Sequence, residues 1–271
     1  MRIGFIGGGN MATALISSLF ASRHNIDRVQ VADPGAAARE YLKKRWPVHC
    51  YQQASSAITG MDAIVLAIKP QVLPSVLDEI RDIVTDQQLI ISIVAGIPTN
   101  QIAAHLKSSP PIVRTMPNTP ALIGLGITGM YARVNCTLAQ RELAQNLMES
   151  AGEVVWLDRE NLLDVVTAVS GSGPAYFYYL VESLRNAGTR LGLPPDVAAK
   201  LALHTAHGAS VMAVKSDRDV TELRQRVTTP GGTTEAAMEQ LNAGHFEELI
   251  DKAITAATRR GKQLADDEAQ S

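Results

Sequence analysis

The residues best suited to chemistry form a hydroxyl-rich glycine turn late in the chain, Val227-Thr228-Thr229-Pro230-Gly231-Gly232-Thr233-Thr234-Glu235. The residues that follow, 236–241, have the pattern of a helix. Backbone N–H groups at such a helix start can bind an anion such as a carboxylate. A threonine hydroxyl can donate or accept a hydrogen bond without carrying charge. This turn is therefore the part of the chain that can narrow the choice of substrate.

A second glycine motif opens the chain, where Ile3-Gly4-Phe5-Ile6-Gly7-Gly8-Gly9-Asn10-Met11-Ala12 has the form strand, G-x-G-x-x-A, helix. Gly7 permits the tight turn, Gly9 lets a pyrophosphate approach the backbone, and Ala12 lets helix and strand pack closely. Its place at the start of a βαβ series makes the pattern specific for dinucleotide binding. We expect the cofactor to be bound by Gly7, Gly9, Asn10, Met11 and Ala12.

Asp33 ends the second predicted strand, where an acidic side chain accepts a hydrogen bond from the adenosine 2′-OH of NAD. Asp33-Pro34 is equally a favourable helix start, with Asp as the N-cap and Pro at the first helical position. Arg39 lies close behind and could meet the 2′-phosphate of NADP. The sequence leaves open both the role of Asp33 and the choice between NADH and NADPH.

Three further segments follow predicted strands, and the carboxyl ends of strands in a doubly wound sheet line the cofactor crevice. They are Ala67-Ile68-Lys69-Pro70, Ala95-Gly96 and Met116-Pro117-Asn118-Thr119-Pro120. Lys69 could reach a ribose or phosphate, and Asn118 offers both a donor and an acceptor. An ordinary surface lysine and a rigid turn are the alternative readings. We expect cofactor contacts from Ala67, Lys69, Pro70, Ala95, Gly96 and Asn118.

The elements that must position these motifs change in kind along the chain. Strands are predicted at residues 3–6, 29–32, 63–67, 89–94 and 112–115, with helices at 11–21, 36–45, 72–83 and 99–106. A strand at 127–131, a helix at 138–150 and a strand at 153–157 complete the alternation, which indicates a doubly wound, mostly parallel sheet. After residue 160 the pattern is helical, at 162–169, 175–191, 196–214, 220–226, 235–242 and 246–264. We predict an α/β Rossmann domain over 1–159 and an all-α domain over 160–271.

The predicted helix 196–214 is apolar around most of its circumference and rich in small residues. Such a helix must be buried on most of its faces. A domain of about 110 residues rarely surrounds one helix by itself, because small domains bury a limited share of their surface. We therefore predict that a second copy of the chain supplies part of the cover, so that the helical domain is a dimerisation domain.

Composition excludes several classes of protein. The formal net charge is −2, which does not indicate a nucleic-acid-binding surface. No run approaches the roughly 18 apolar residues of a membrane helix, and Met1-Arg2 leads straight into an apolar strand rather than a signal peptide. Cys50 and Cys136 lack CxxC spacing and are read as reduced thiols. We expect a cytoplasmic protein with no membrane or nucleic-acid partner.

The histidines do not form a recognisable site. His204 and His207 could share one helix face, but a zinc site needs further ligands and none is evident nearby. The remaining ones, His24, His49, His105 and His245, are scattered. No metal is predicted. The turn Ser170-Gly171-Ser172-Gly173-Pro174-Ala175-Tyr176 allows close backbone approach at its glycines, and Ser172 could border a substrate pocket.

Taken together, segments 7–12, 67–70, 116–120, 170–176 and 227–234 occur in the order that resembles the pyrroline-5-carboxylate reductase family. Thr-Pro-Gly-Gly-Thr-Thr matches the signature of that family. The resemblance implies an N-terminal Rossmann domain, a C-terminal helical domain that dimerises, and assembly that is commonly a pentamer of dimers. It also implies hydride transfer from NADPH or NADH to the C=N bond of 1-pyrroline-5-carboxylate, giving L-proline in the final step of proline biosynthesis.

The same resemblance implies roles for the late turn. The amides around Gly231, Gly232 and Thr233 would hold the substrate carboxylate, and Ser172 would border the pocket. The Thr234 hydroxyl would contact the ring nitrogen as a proton donor. A helix-start cap is the alternative role for Thr234.

Two competing functions are weaker. A 3-hydroxyacid dehydrogenase also joins a Rossmann domain to a helical one, but typically has a lysine soon after its second glycine motif. This chain has no lysine between Gly173 and Lys200. A non-catalytic nucleotide-binding sensor would have no need of an intact substrate-side turn, although fold alone does not determine function.

Overall fold

The structure is a computed structural model that describes residues 1–22 and 26–269. The chain forms two compact units. The first comprises Met1–Ser172 together with the end of the chain from Ala257, and the second comprises Gly173–Ala256. The predicted domain boundary at residue 159 stays a prediction, because the compact units of a chain need not begin and end where its domains do.

The first unit contains an eight-stranded sheet in the order β3-β2-β1-β4-β5-β6-β7-β8. The strands are β1 (Arg2–Ile6), β2 (Arg28–Ala32), β3 (His49–Tyr51), β4 (Ala63–Leu66), β5 (Leu89–Ser92), β6 (Ile112–Met116), β7 (Gly126–Ala132) and β8 (Gly152–Trp156). All neighbours pair in parallel except β6 and β7, which are antiparallel. The predicted doubly wound, mostly parallel sheet is confirmed.

The helices of this unit are α1 (Asn10–Ala21), α2 (Ala36–Arg45), α3 (Ala54–Ile58), α4 (Leu73–Ile80), α5 (Thr99–His105), α6 (Leu138–Glu149) and α7 (Leu162–Val166). They cover both faces of the sheet, so the central strands are apolar on both sides. Phe5 of β1 belongs to the core on one face, and Ile6 belongs to the core on the other. Because β1 to β6 pair in parallel, their carboxyl ends lie at one edge of the sheet.

Some elements differ from the predictions. The sequence pattern does not predict β3 and α3, because both are short and β3 is only partly buried. The predicted helix 72–83 is shorter, and a 3-10 turn at Pro70–Val72 precedes α4. A second 3-10 turn spans Thr119–Ile123, and a π-helical turn spans Thr167–Gly171 after α7.

The second unit is helical, with α8 (Gly173–Arg190), α9 (Pro195–Lys215), α10 (Val220–Arg226) and α11 (Thr233–Ala243), and α12 (Phe246–Ala269) begins in it. A Cβ on Gly188 would lie 3.2 Å from Leu193 Cδ1, so α8 is closely approached there by the turn that leads to α9. Ala198 and Ala202 of α9 are buried, whereas Leu201 and Met212 are exposed. No helix in the described part of the chain is long and apolar enough to cross a membrane.

Candidate active site

The order of strands reverses between β1 and β4, and ligands of open α/β sheets bind at the carboxyl ends of strands beside such a switch point. The Gly7 N–H donates to the Ala32 carbonyl at 2.7 Å, and the Ala67 N–H donates to the Ile6 carbonyl at 2.8 Å. These bonds connect the ends of β1, β2 and β4. Gly7 and Ala67, both predicted to contact the cofactor, therefore lie together.

The first glycine turn has the form that a pyrophosphate requires. Gly7 has φ +100°, and a Cβ there would lie 2.3 Å from the Ala67 carbonyl oxygen, so only glycine fits. A Cβ on Gly9 would meet no atom within 4 Å. Gly9 is the N-cap of α1, so no N-cap side chain occupies the first N–H groups of this helix. The first N–H groups of α1 therefore face open space that an anion can enter.

The residues after Gly9 contribute in different ways. Asn10 is exposed and Met11 is half-buried, whereas Ala12 is buried in the core against the sheet. Ala12 thus acts through close helix packing, as the motif predicts. Whether Asn10 and Met11 touch the cofactor stays a prediction.

Asp33 braces the glycine turn. Its Oδ2 accepts a hydrogen bond from the Gly8 N–H and its Oδ1 accepts one from the Gly35 N–H, both at 2.8 Å. The N-cap of α2 is Gly35, so the alternative N-cap role of Asp33 is wrong. Each carboxylate oxygen keeps a further lone pair, which is what a ribose hydroxyl would need. Arg39 Nη1 donates to the carbonyls of Asp33 and Pro34 at 2.6 and 2.8 Å.

The other predicted cofactor residues follow β4 and β5. Lys69 is exposed at the start of the 3-10 turn, Pro70 opens that turn, and no ion-pair partner of Lys69 is found among the described residues. Ala95 is exposed, and Gly96 is buried with φ +81°. Their positions after parallel strands agree with the predicted crevice, and their contacts with a cofactor stay predictions.

Asn118 already has structural partners. Its Nδ2 donates to the Ser170 carbonyl at 3.1 Å, and its Oδ1 accepts from the Ile127 N–H at 3.0 Å. The residue is 8% exposed. Its side chain therefore holds together the end of β6, the start of β7 and the π-helical turn. A cofactor contact from Asn118 stays a prediction.

The π-helical turn places the predicted substrate residue Ser172. The Ser172 N–H donates to the Thr167 carbonyl at 2.8 Å, and the residue is half-buried. A Cβ on Gly171 would lie 2.6 Å from Met116 Cε, so the end of the Met116 side chain packs against this turn. Asn118 and Ser172 thus flank the same turn, which the sequence did not predict.

A buried ionic cluster supports this region. Arg114, whose side chain is 6% exposed, lies 3.5 Å from a Glu160 oxygen and 3.4 Å from an Asp164 oxygen. Glu160 also accepts hydrogen bonds from the N–H and hydroxyl of Thr99. These contacts join β6, the start of α5 and α7.

The second glycine turn lies in the helical unit and starts α11 two residues earlier than predicted. Gly231 has φ +72°, and its N–H donates to Glu235 Oε2 at 2.6 Å. The Gly232 N–H donates to the Thr229 carbonyl at 2.9 Å. Two of the three amides predicted to bind a carboxylate are therefore already bonded. Within the described part of the chain, the N–H groups of Thr233, Thr234 and Glu235 have no hydrogen-bond partner.

Thr234 is half-buried, and its hydroxyl has no hydrogen-bond partner among the residues that the structure describes. The N-cap of α11 is Gly232, which has no side-chain capping bond. The alternative role of Thr234 as a helix cap is therefore wrong. Its hydroxyl is free to bond a ligand.

Two residues with direct contacts to the turns were missed from the sequence, Gly8 and Glu235. Glu235 lies three residues after the N-cap Gly232, but it bonds the Gly231 N–H, so the contact is not the capping box that this spacing suggests. The bond from Gly8 to Asp33 spans 25 residues and had no local signal.

Metal binding finds no support in the described residues, which contain no group of three or more potential ligands. His24, one of the scattered histidines, lies outside the described residues. Burial raises the pKa of the Cys50 and Cys136 thiols above their usual value, so neither is activated as a nucleophile.

Comparison with protein families assigns both parts of the chain. Residues 160–264 match the model for pyrroline-5-carboxylate reductase dimerisation, and residues 2–96 match the model for NADP oxidoreductase, coenzyme F420-dependent. The pyrroline-5-carboxylate reductase of Pseudomonas aeruginosa is 43% identical over 265 residues, covering 98% of this chain and 97% of the relative. That of Haemophilus influenzae is 35% identical, with 97% of each chain covered.

Solved structures give the same result. A pyrroline-5-carboxylate reductase from Coxiella burnetii superposes with a TM-score of 0.92 at 38% identity, covering 97% of this chain and 98% of that one. A pyrroline carboxylate reductase from Plasmodium falciparum with NADP bound has a TM-score of 0.85 at 29% identity, with 98% of each chain covered.

Proposed function

The chain belongs to the pyrroline-5-carboxylate reductase family, and from this premise we propose that it reduces 1-pyrroline-5-carboxylate to L-proline with NADPH or NADH. This reaction is the final step of proline biosynthesis. The observation that carries the proposal is the start of α11, where three N–H groups and the Thr234 hydroxyl have no partner among the described residues.

NAD(P)H supplies the hydride when it is bound, and the residues that would hold it are those of the first glycine turn. Gly9 and the first N–H groups of α1 would receive the pyrophosphate, and Asp33 would bind the adenosine ribose. The open space at Gly9 and the close approach of Gly7 to Ala67 fit this group.

The reaction adds a hydride to the C=N carbon and a proton to the nitrogen, so that the imine becomes the secondary amine of proline. We infer that the N–H groups of Thr233 and Thr234 hold the substrate carboxylate. The Thr234 hydroxyl donates a hydrogen bond to the ring nitrogen, or passes it a proton that solvent then replaces. A protonated imine already accepts hydride well. The protein therefore contributes mainly by orientation, which can supply several kcal/mol.

The test is the loss of NADPH or NADH absorbance in the presence of 1-pyrroline-5-carboxylate. Thr234→Ala should lower kcat at least about tenfold, which corresponds to about 1.4 kcal/mol of transition-state stabilisation, without changing the dissociation constant of NADPH. Thr234→Ser keeps the hydroxyl and should retain most of the activity. Near-wild-type turnover of Thr234→Ala would exclude the role, and no turnover by the unaltered protein would exclude the function.

The 3-hydroxyacid dehydrogenase and sensor alternatives are not favoured, since reductases of one activity match nearly the whole chain. We further infer a homodimer through the helical unit, assembling as a pentamer of dimers, in the cytoplasm. The exposed apolar side chains of α8 and α9, such as Phe177, Leu201 and Met212, support a second copy as the cover. Light scattering coupled to size-exclusion chromatography tests this assembly, and a strict monomer would exclude it.

A further inference from the structure

The Glu235 carboxylate lies on the turn that would receive the substrate carboxylate. Its Oε2 accepts a hydrogen bond from the Gly231 N–H at 2.6 Å. We propose that Glu235 is a specificity-determining residue that competes with the substrate carboxylate and weakens the binding of carboxylated substrate and product. This inference rests on the proposed function.

The geometry of the turn places two carboxylates close together. The Gly231 N–H is bonded to Glu235 and the Gly232 N–H is bonded to Thr229, which leaves the N–H groups from Thr233 onward for an incoming anion. Successive backbone N–H groups in a turn lie within a few ångströms of one another, since neighbouring Cα atoms are about 3.8 Å apart. An anion bound at Thr233 and Thr234 is therefore a close neighbour of Glu235.

Arg224 lines the same surface pocket as Glu235 but forms no salt bridge with it. No ion pair to Glu235 occurs within the described part of the chain, whereas Glu222 on α10 is paired with Arg218 and Arg226. Glu235 is the acidic residue of the first turn of α11, and Glu239 lies one helical turn further along the helix. A like charge within about 6 Å of a bound anion, at a partly exposed site, is expected to weaken its binding by about threefold to tenfold.

Glu235 also stabilises the turn, and a useful variant must separate the two effects. Gln keeps an acceptor oxygen of the same reach for the Gly231 N–H but carries no charge. Glu235→Gln therefore removes the electrostatic competition and retains the hydrogen bond. Glu239→Gln is the matched control, because it removes one charge from the same helix at a side chain that makes no hydrogen bond to the turn within the described residues.

The experiment compares wild type, Glu235→Gln and Glu239→Gln. For Glu235→Gln we expect the KM for 1-pyrroline-5-carboxylate and the inhibition constant of L-proline to fall by about threefold to tenfold. The dissociation constant of NADPH should be unchanged. The KM for 1-pyrroline, the same ring without the carboxylate, should not fall. Glu239→Gln should match wild type in every measurement.

The proposal is overturned if Glu235→Gln leaves the KM for 1-pyrroline-5-carboxylate unchanged or raises it, or if Glu239→Gln lowers it equally. An equal fall in the KM for 1-pyrroline would also overturn it, since that would show a change unrelated to the carboxylate. Turnover by the unaltered protein tests the proposed function separately. Thermal unfolding of all three proteins excludes a loss of folding as the cause.

Discussion

Replacing Gly9 by alanine should separate cofactor binding from folding. Gly9 has φ −72° and ψ −172°, which any residue adopts, and its added Cβ would meet no atom within 4 Å. Loss of glycine freedom in the unfolded chain stabilises by about 0.4–1 kcal/mol, whereas loss of glycine at an N-cap costs about the same amount. We therefore expect the free energy of unfolding to change by less than about 0.5 kcal/mol.

The cofactor should respond very differently. The methyl group that Gly9→Ala adds would occupy the face of the turn that the pyrophosphate must approach. We expect the dissociation constant of NADPH to rise at least about tenfold, which is about 1.4 kcal/mol. Titration of NADPH fluorescence measures this change, and urea unfolding followed by circular dichroism measures stability.

Gly7→Ala is the control with the opposite outcome. Its Cβ would lie 2.3 Å from the Ala67 carbonyl oxygen, at a φ of +100°. Strain of about 1–2 kcal/mol for the backbone and about 1–3 kcal/mol for overpacking should destabilise the fold outright. If Gly9→Ala binds NADPH like wild type, or unfolds as readily as Gly7→Ala, the assignment of the two glycines is wrong.

Three further substitutions test the framework of the first unit. Asn118→Leu leaves the Ser170 carbonyl and the Ile127 N–H without their partner. The free energy of unfolding, measured by urea unfolding, should fall by about 2–4 kcal/mol. Arg114→Met leaves two acidic partners uncompensated and should cost about 3–5 kcal/mol in the same assay. The hydrogen bonds from Arg2 lower the pKa of the Asp62 carboxyl below its usual 3.8. Its stabilising effect is therefore complete above that pH and is lost as the pH falls through the lowered pKa. Acid unfolding of Asp62→Asn should accordingly show a smaller loss of stability below about pH 4 than wild type.

Much of the first unit could be predicted because its signals are local. The spacing of Gly7, Gly9 and Ala12 predicts a tight turn between a strand and a helix. The structure confirms this turn. The central strands are short apolar runs buried on both faces, and their length and the turn residues that bound them predict buried strands. By contrast, the three residues of β3 are too few to show a strand pattern. This strand nevertheless positions Asp33, because the Tyr51 carbonyl accepts a hydrogen bond from the Asp33 N–H.

The partners of the polar side chains could not be predicted in the same way. Asn118 meets Ser170 across 52 residues, and only the packing of the π-helical turn on β6 brings them together. Its amide was therefore assigned to the cofactor from position alone. Glu235 meets Gly231 across only four residues, yet the bond is not a capping box, because it goes to the residue before the N-cap Gly232 and not to Gly232 itself.

Both glycine turns contain a hydrogen bond from a glycine N–H to a carboxylate, and in the first turn this bond bears on the choice of cofactor. In each turn an acidic side chain binds a glycine N–H just before a helix, Asp33 on Gly8 at 2.8 Å and Glu235 on Gly231 at 2.6 Å. Each of these carboxylates occupies one backbone N–H group and places a negative charge beside the N–H groups that remain. An incoming anion would thereby be confined to the first N–H groups of the helix.

The Asp33 charge would repel the 2′-phosphate of NADPH, whereas its carboxylate would accept a hydrogen bond from the 2′-hydroxyl of NADH. Arg39 is anchored on the same loop. Asp33→Asn should therefore raise the ratio of kcat/KM for NADPH over NADH by about threefold to tenfold, as expected for the loss of one like charge at about 6 Å. Arg39→Gln should lower the same ratio. An unchanged ratio in Asp33→Asn, with an intact fold in thermal unfolding, would refute this role. The carboxylate would then stabilise the glycine turn without affecting the choice of cofactor.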